Sequence, residues 1–270
     1  MEATVTSPAR LTAKAAREVF SFFFFLGRRT GKSRMFFLLG ILPVVLSIVV
    51  KVTVNPRADD VMTVFTEILM VFFLQFYIVI LALFYGSSVL AEEVEGRTLP
   101  YLVTRPLSKP GIIIGKTAAY VWLMFLMVAA NLFLSFFIIN INDLANPSLY
   151  TAFLSYLGVL FLGVVAYTSL FVLLGVFMKR AILVGLAFGF GWENVIQFFP
   201  GSTQKFSIVH YLKSLLPYRS PTGGSRLMIL LFRLEPSSPA ASILTLIVVS
   251  AVFLGLACVL FRWKEYLFEE

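Results

Sequence analysis

Three groups of residues in this chain have types and spacings that could do chemistry. The run Gly27-Arg28-Arg29-Thr30-Gly31-Lys32-Ser33 ends like a phosphate-binding loop. Such a loop needs four residues between its glycines so that backbone amides wrap the phosphates, and a strand before it. Here three residues intervene and no soluble strand precedes, so the run reads as a basic turn at lipid headgroup level. The second group is Glu67, Gln75, Asn131 and Glu193, polar residues inside otherwise apolar runs. Burying such groups in lipid is costly, which makes them candidates for a transport pathway. Glu67 and Glu193 lie toward the ends of their runs, where solvation at a membrane rim is the plainer reading. The third group is the charged stretch Glu92, Glu93, Glu95, Gly96, Arg97, Thr98 and Leu99. Three carboxylates and an arginine on a short projection, broken by Gly96 and Pro100, suit docking to a partner. A plain solvated loop is the competing reading. Catalysis has little to work with. A single Cys258 and a single His210 argue against a Cys/His metal site, and no Ser–His pair or intramembrane Asp pair offers an enzyme centre.

The elements that hold these residues are membrane elements. Hydrophobic residues form 59% of the 270-residue chain and charged residues 13%, with 29 phenylalanines. A soluble domain could not hide that much apolar surface, which excludes a soluble enzyme and a disulfide scaffold. The net charge of +8 does not point to nucleic acid, because the cations sit in short connections between apolar runs. Six segments have the length of a membrane-crossing helix: Met35–Val54 (interrupted by Pro43 and Lys51), Val64–Leu90, Thr117–Ile139, Thr151–Met178, Ala181–Phe199 and Ala240–Arg262. The fold class is therefore an all-α integral membrane protein with six transmembrane helices, spanning 35–262 between a cytoplasmic N-terminal segment (1–34) and a tail (263–270). No cleavable signal peptide is expected. Counting Lys and Arg in the connections puts fifteen on the side of both termini and seven on the other, so both termini are expected in the cytoplasm.

Two further segments do not span. In Ser7 to Leu26, the residues Leu11, Ala15, Val19, Phe22, Phe23 and Leu26 share one helical face, with Arg10, Lys14, Arg17, Glu18 and Ser21 opposite. That predicts an amphipathic helix lying in the membrane surface. The long outer loop, 201–239, carries an apolar face (Phe206, Val209, Leu212, Leu215, Leu216) and a second patch from Leu227 to Phe232. Two short interfacial or re-entrant helices are expected there. Gly185, Gly189 and Gly191 would let the fifth span approach a neighbour closely.

Between spans two and three the chain resembles a known family. The acidic end of span two, then Gly96, Arg97, Thr98 and Leu99, then Leu102, Thr104, Pro106, Ser108 and Lys109, and finally Gly115 and Lys116 are similar to the permease subunit of ABC-2 type ATP-binding cassette transporters. The likeness leans toward the branch with the nitrous-oxide-reductase maturation permease, although Arg97 stands where many members have glycine directly before threonine. The resemblance implies a multi-pass subunit of the inner (plasma) membrane, exporting in the direction common to the family, that hydrolyses nothing itself. It implies a separate ATPase partner that binds ATP and Mg, a second permease subunit (homodimer or heterodimer) and a coupling segment at 91–116. No cofactor is implied for this chain. An ion-coupled secondary transporter and a structural membrane subunit remain as alternatives. The first would show ionisable residues in broken spans or an inverted repeat, and no convincing repeat is present.

Overall fold

The computed structural model describes residues 8–53, 64–95, 109–178, 180–198, 201–216 and 237–263, and every element among them is helical. The first, α1 (Pro8–Arg29), opens on a proline suited to a first helical turn. Its buried stripe is Ala15, Val19, Phe23 and Gly27, spaced four apart, while Phe22, Phe25 and Leu26 stay exposed. The predicted N-terminal helix is present, and its apolar circumference is divided. One edge packs on protein and the other is left outward.

The helix breaks at Thr30, and α2 (Gly31–Thr53) follows as the first span. A further turn at Gly40 divides it, which leaves Pro43 in the opening turn of the second half, where a missing N–H does no harm. Next comes α3 (Val64–Leu90), which carries a π-helical stretch at Leu69–Tyr77 and continues as helix to Glu95. Helix α4 (Lys109–Ile139) starts two turns before the predicted third span, so Gly115 and Lys116 are helical. Helix α5 (Pro147–Phe177) also starts early. Asn146 caps it by accepting a 3.1 Å bond from the Ser148 amide, and Pro147 fills its first turn. The last span is α8 (Pro239–Trp263).

The fifth predicted span, 181–199, holds a helix shorter than the run the sequence suggests. Among the described residues five helices are long and apolar enough to cross a membrane, and the segment expected at 181–199 holds the shorter apolar α6 (Ala181–Val195). Its rise is about 22 Å, against roughly 30 Å of hydrocarbon. A π-helical stretch at Ala187–Trp192 and a 3-10 turn at Ile196–Phe198 deform its second half. The physical reason lies in the polar residues of that end, Glu193, Asn194 and Gln197, which turn inward to partners rather than carrying the helix on through lipid. The chain folds back into a 3-10 turn (Gly201–Phe206) and the short helix α7 (Ile208–Ser214). A short helix thus occupies the stretch that carries the first apolar face of 201–239. The second patch, 227–232, lies outside the described residues.

Helix α3 is the hub, packed against α4, α5 and α6. Its contact with α5 is made at glycine. A Cβ on Gly175 would sit 2.8 Å from the carbonyl oxygen of Ser87, and one on Gly86 would sit 2.9 Å from the Phe171 Cβ. In lipid, helices associate by such close approach rather than by a hydrophobic drive. Helix α6 uses the same device. Gly185 faces Leu83 and Gly189 faces Val79, whereas Gly191 meets open space. Helix α1 lies along α4, and α8 packs on α5 and α4.

Candidate functional site

Two buried polar clusters stand at different depths on α3. Gln75 marks one and Tyr85 the other, ten residues and about 15 Å apart along the helix.

The first is a joint where α1, α2, α3 and α4 meet. The Gly27 carbonyl ends α1 and accepts from the Thr30 amide (3.3 Å), the Thr30 hydroxyl (2.8 Å) and the Ser33 hydroxyl. Ser33 also bonds the Tyr85 hydroxyl at 2.7 Å. The Lys32 ammonium donates to the Phe84 carbonyl (3.2 Å) and to the Ser88 hydroxyl (3.1 Å), and lies 4.9 Å from the centre of the Tyr85 ring. The phosphate-loop look-alike is thus a helical hinge whose lysine and serine fasten span one to span two. Across the joint, Lys116 is wholly buried, with its ammonium 4.4 Å from the Phe23 ring centre and 5.7 Å from that of Tyr120. Tyr85 and Tyr120 meet edge to face at 5.2 Å. A desolvated cation over ring faces is worth about 2 kcal/mol. Glycine permits the approach. A Cβ on Gly115 would strike the Ala16 backbone, and one on Gly27 would lie 2.8 Å from Leu123.

The joint stands beside the ends of α3 and α4 that bracket the expected coupling segment. Glu92, Glu93 and Glu95 fall on the helical extension of α3, as the sequence predicts, with only their backbone described. Gly96, Arg97, Thr98 and Leu99 lie outside the described residues.

The second cluster gathers two of the four intramembrane candidates. Glu193 is buried, not solvated at a rim. Its carboxylate accepts from the Ser207 hydroxyl and from the amides of Ile208 (3.1 Å) and Val209 (3.4 Å), the first turn of α7. Lys213, at the far end of α7, donates to the Gln197 side-chain oxygen at 2.6 Å. Gln75 donates to the side-chain oxygens of Asn194 (3.1 Å) and Gln197 (3.4 Å). Burial pulls the Lys213 ammonium down to about 8, and the Glu193 charge opposes part of that. The arrangement ties α3, α6 and α7 together, and its half-buried edge, Gln75, Asn194 and Gln197, lies beside the exposed Phe76 and Val195.

The other two candidates stand apart from it. Asn131 donates to the Tyr77 hydroxyl (3.2 Å) and the Met127 carbonyl (2.9 Å), and Tyr77 donates to the Phe36 carbonyl (3.2 Å), which locks α2, α3 and α4 around Gly40. Glu67 is half-buried in the first turn of α3. Ser207, Lys213, Asn194 and Gln197 were not singled out by the sequence reading. The amides at 194, 197 and 204 ending an apolar run were the available signal.

The comparison that decides the class is with protein families. The sequence model described as "ABC-2 family transporter protein" matches residues 7–266. This chain belongs to the ABC-2 transporter family. It is a multi-pass membrane protein, the permease component of an ABC transporter, of a kind that works with an ABC ATPase and is generally non-catalytic itself. The match does not support the narrower nitrous-oxide-reductase maturation branch. No curated protein matches the permease.

Proposed function

We propose that the permease forms, with a second permease subunit, the pathway of an exporter, driven by a separate ATPase that binds ATP and Mg. Glu92, Glu93, Glu95, Gly96, Arg97, Thr98 and Leu99 form the contact with that ATPase. Both termini and this segment face the cytoplasm, and the subunit resides in the plasma membrane. The observation that carries the reading is the continuation of α3 as helix to Glu95 beside the aromatic–lysine joint. A push on 91–116 enters α3 and α4 directly, and the joint ties their ends to α1 and α2. A docked load therefore moves four helices rather than a loop. Among the intramembrane candidates, Gln75 best fits a pathway wall, because it sits on a half-buried polar edge. Asn131 and Glu193 act as internal fasteners.

The buried Glu193 and Lys213 are the one feature that would suit an ion-coupled transporter. Their amide-rich setting, which caps α7 and reaches Gln197, favours a structural role instead.

The test is co-purification of the tagged permease with its cognate ATPase, read beside ATP turnover in liposomes. Glu93→Lys combined with Arg97→Glu should weaken the complex and lower transport and turnover together, while expression stays at the wild-type level. Truncating one partner of an interfacial charge pair costs about 2–5 kcal/mol. Normal co-purification and transport by this variant would make the segment a solvated loop.

A further inference from the structure

A groove of about 620 Å³ runs between the α1–α2 joint and the flank of α4. It is lined by Arg28, Ser33 and Arg34 at one end and by Phe37, Leu38, Leu123, Leu126 and Met127 beyond. Its chemistry is graded along the membrane normal. Arg28 and Arg34 flank the start of the first span, at headgroup level on whichever side the N-terminus lies. Phe37 and Leu38 come one turn deeper on α2. Leu123, Leu126 and Met127 lie two to three turns into α4 from Lys116.

The basic end is preformed. The bonds of Thr30 and Ser33 to the Gly27 carbonyl fix the angle between α1 and α2, and so the positions of the two arginines. The Arg28 guanidinium lies 6.0 Å from the Phe24 ring centre. Both arginines are exposed, and no carboxylate is among the described residues lining the groove. Two planar guanidinium forks match the oxygens of a phosphate. The apolar floor, with Leu38 at 62% and Leu126 at 44% exposure, demands a hydrocarbon partner.

We propose that this groove is a binding site for one anionic glycerophospholipid, its phosphate held by Arg28 and Arg34 and an acyl chain laid along Phe37, Leu126 and Met127. A headgroup with a net negative charge is preferred to a zwitterionic one, whose own cation would face the arginines. The bound lipid bridges α1 and α2 and rests on α4, so it braces the joint from the bilayer side. Leu123 serves both contacts, since it closes on Gly27 and lines the groove.

The experiment uses the full-length permease, delipidated in detergent, titrated with phosphatidylglycerol or phosphatidylcholine and read by native mass spectrometry. Wild type should retain one phosphatidylglycerol about tenfold more tightly than phosphatidylcholine, the size of one charge-assisted contact. Arg28→Gln with Arg34→Gln should remove that preference. Arg29→Gln, an exposed arginine of the same joint that does not line the groove, should change it less than about twofold. Leu126→Trp adds bulk to the floor without altering charge and should also lower retention, with circular dichroism confirming the fold. The proposal fails if Arg29→Gln matches the double variant, because the attraction is then general to a basic surface. It fails if Leu126→Trp has no effect or if glycerol phosphate displaces the lipid, because the ligand is then a free phosphate. It also fails if Leu126→Trp breaks a permease dimer while lipid retention is unchanged, because the groove is then a protein interface.

Discussion

Two lysines buried in this permease are housed in opposite ways. Lys116 sits over the rings of Phe23 and Tyr120 at the joint. Lys213 bonds the oxygen of an amide and feels a carboxylate nearby. Ring faces hold the Lys116 cation across the α1–α4 contact, while the hydrogen bonds of Thr30, Ser33 and Lys32 fix α1 and α2 against α3. Hydrogen bonds from a carboxylate network are directional, so the Glu193 cluster holds α6 and α7 in one arrangement. The joint thus couples α1 and α2 to α3 and α4, and the network couples α6 and α7 to α3.

The largest expected effect is all-or-none and tests whether the two regions face opposite sides. In a Cys258→Ala background, a cysteine at Ser148 should react with an impermeant reagent from outside, and one at Thr98 only from inside. The motivation is the absence of Lys and Arg between Asn140 and Tyr150, against Arg97, Arg105 and Lys109 between the second span and Pro110. Labelling of position 98 from outside would invert the topology.

Next comes rigidity. Glu193→Ala strips the first turn of α7 of its acceptor and leaves Lys213 buried without the carboxylate. It should lower stability by about 3–5 kcal/mol, read as thermal unfolding in detergent. Glu193→Gln keeps part of the bonding and should lose less. A fully stable Glu193→Ala protein would show that the network anchors nothing.

The same cluster should confer a pH dependence. The native Lys213 ammonium titrates near 8, against an ordinary value of 10.5. Between these values the unfolded chain holds a proton that the native chain has lost, so stability rises with pH across that window and is lowest below about 8. The gain approaches about 3 kcal/mol and should vanish in Lys213→Met. A slope that survives that substitution would have another source.

The smallest effect separates the joint from a nucleotide site. Lys32→Ala removes two hydrogen bonds and one ring contact, and should destabilise by about 1–2 kcal/mol. ATP turnover per assembled transporter should change little. Loss of turnover by orders of magnitude at unchanged assembly would restore the phosphate-loop reading.

Much of the fold was legible from spacing. Spans three and four were read from Thr117 and Thr151, although α4 and α5 start earlier at Lys109 and Pro147, and four-residue spacing gave the Ala15–Val19–Phe23 stripe of α1. The site was less so. Gln75 and Glu193 were each visible as polar residues in apolar runs, yet their shared network was not. It depends on Asn194 and Gln197 turning toward α3, and on Ser207 returning from a loop. Asn131 stood out for the same reason as Gln75 and belongs to a different lock.

Composition and charge placement alone determined that this chain lives in a membrane, because its apolar surface exceeds what a soluble fold can bury and its cations fall between the apolar runs. The acidic end of α3 was likewise plain, since glutamates after an apolar helix must leave the lipid. The tertiary structure alone decided that Lys32 and Ser33 are a clasp, that Lys116 is buried, and that Glu193 in the fifth apolar segment bonds the first turn of α7. Each of those outcomes includes a partner distant in sequence, such as Ser207 for Glu193, Tyr85 for Ser33 and Phe23 for Lys116. A polar group in an apolar run signals that a partner is required. Which group answers is set by where glycines such as Gly115, Gly175 and Gly189 let the helices meet.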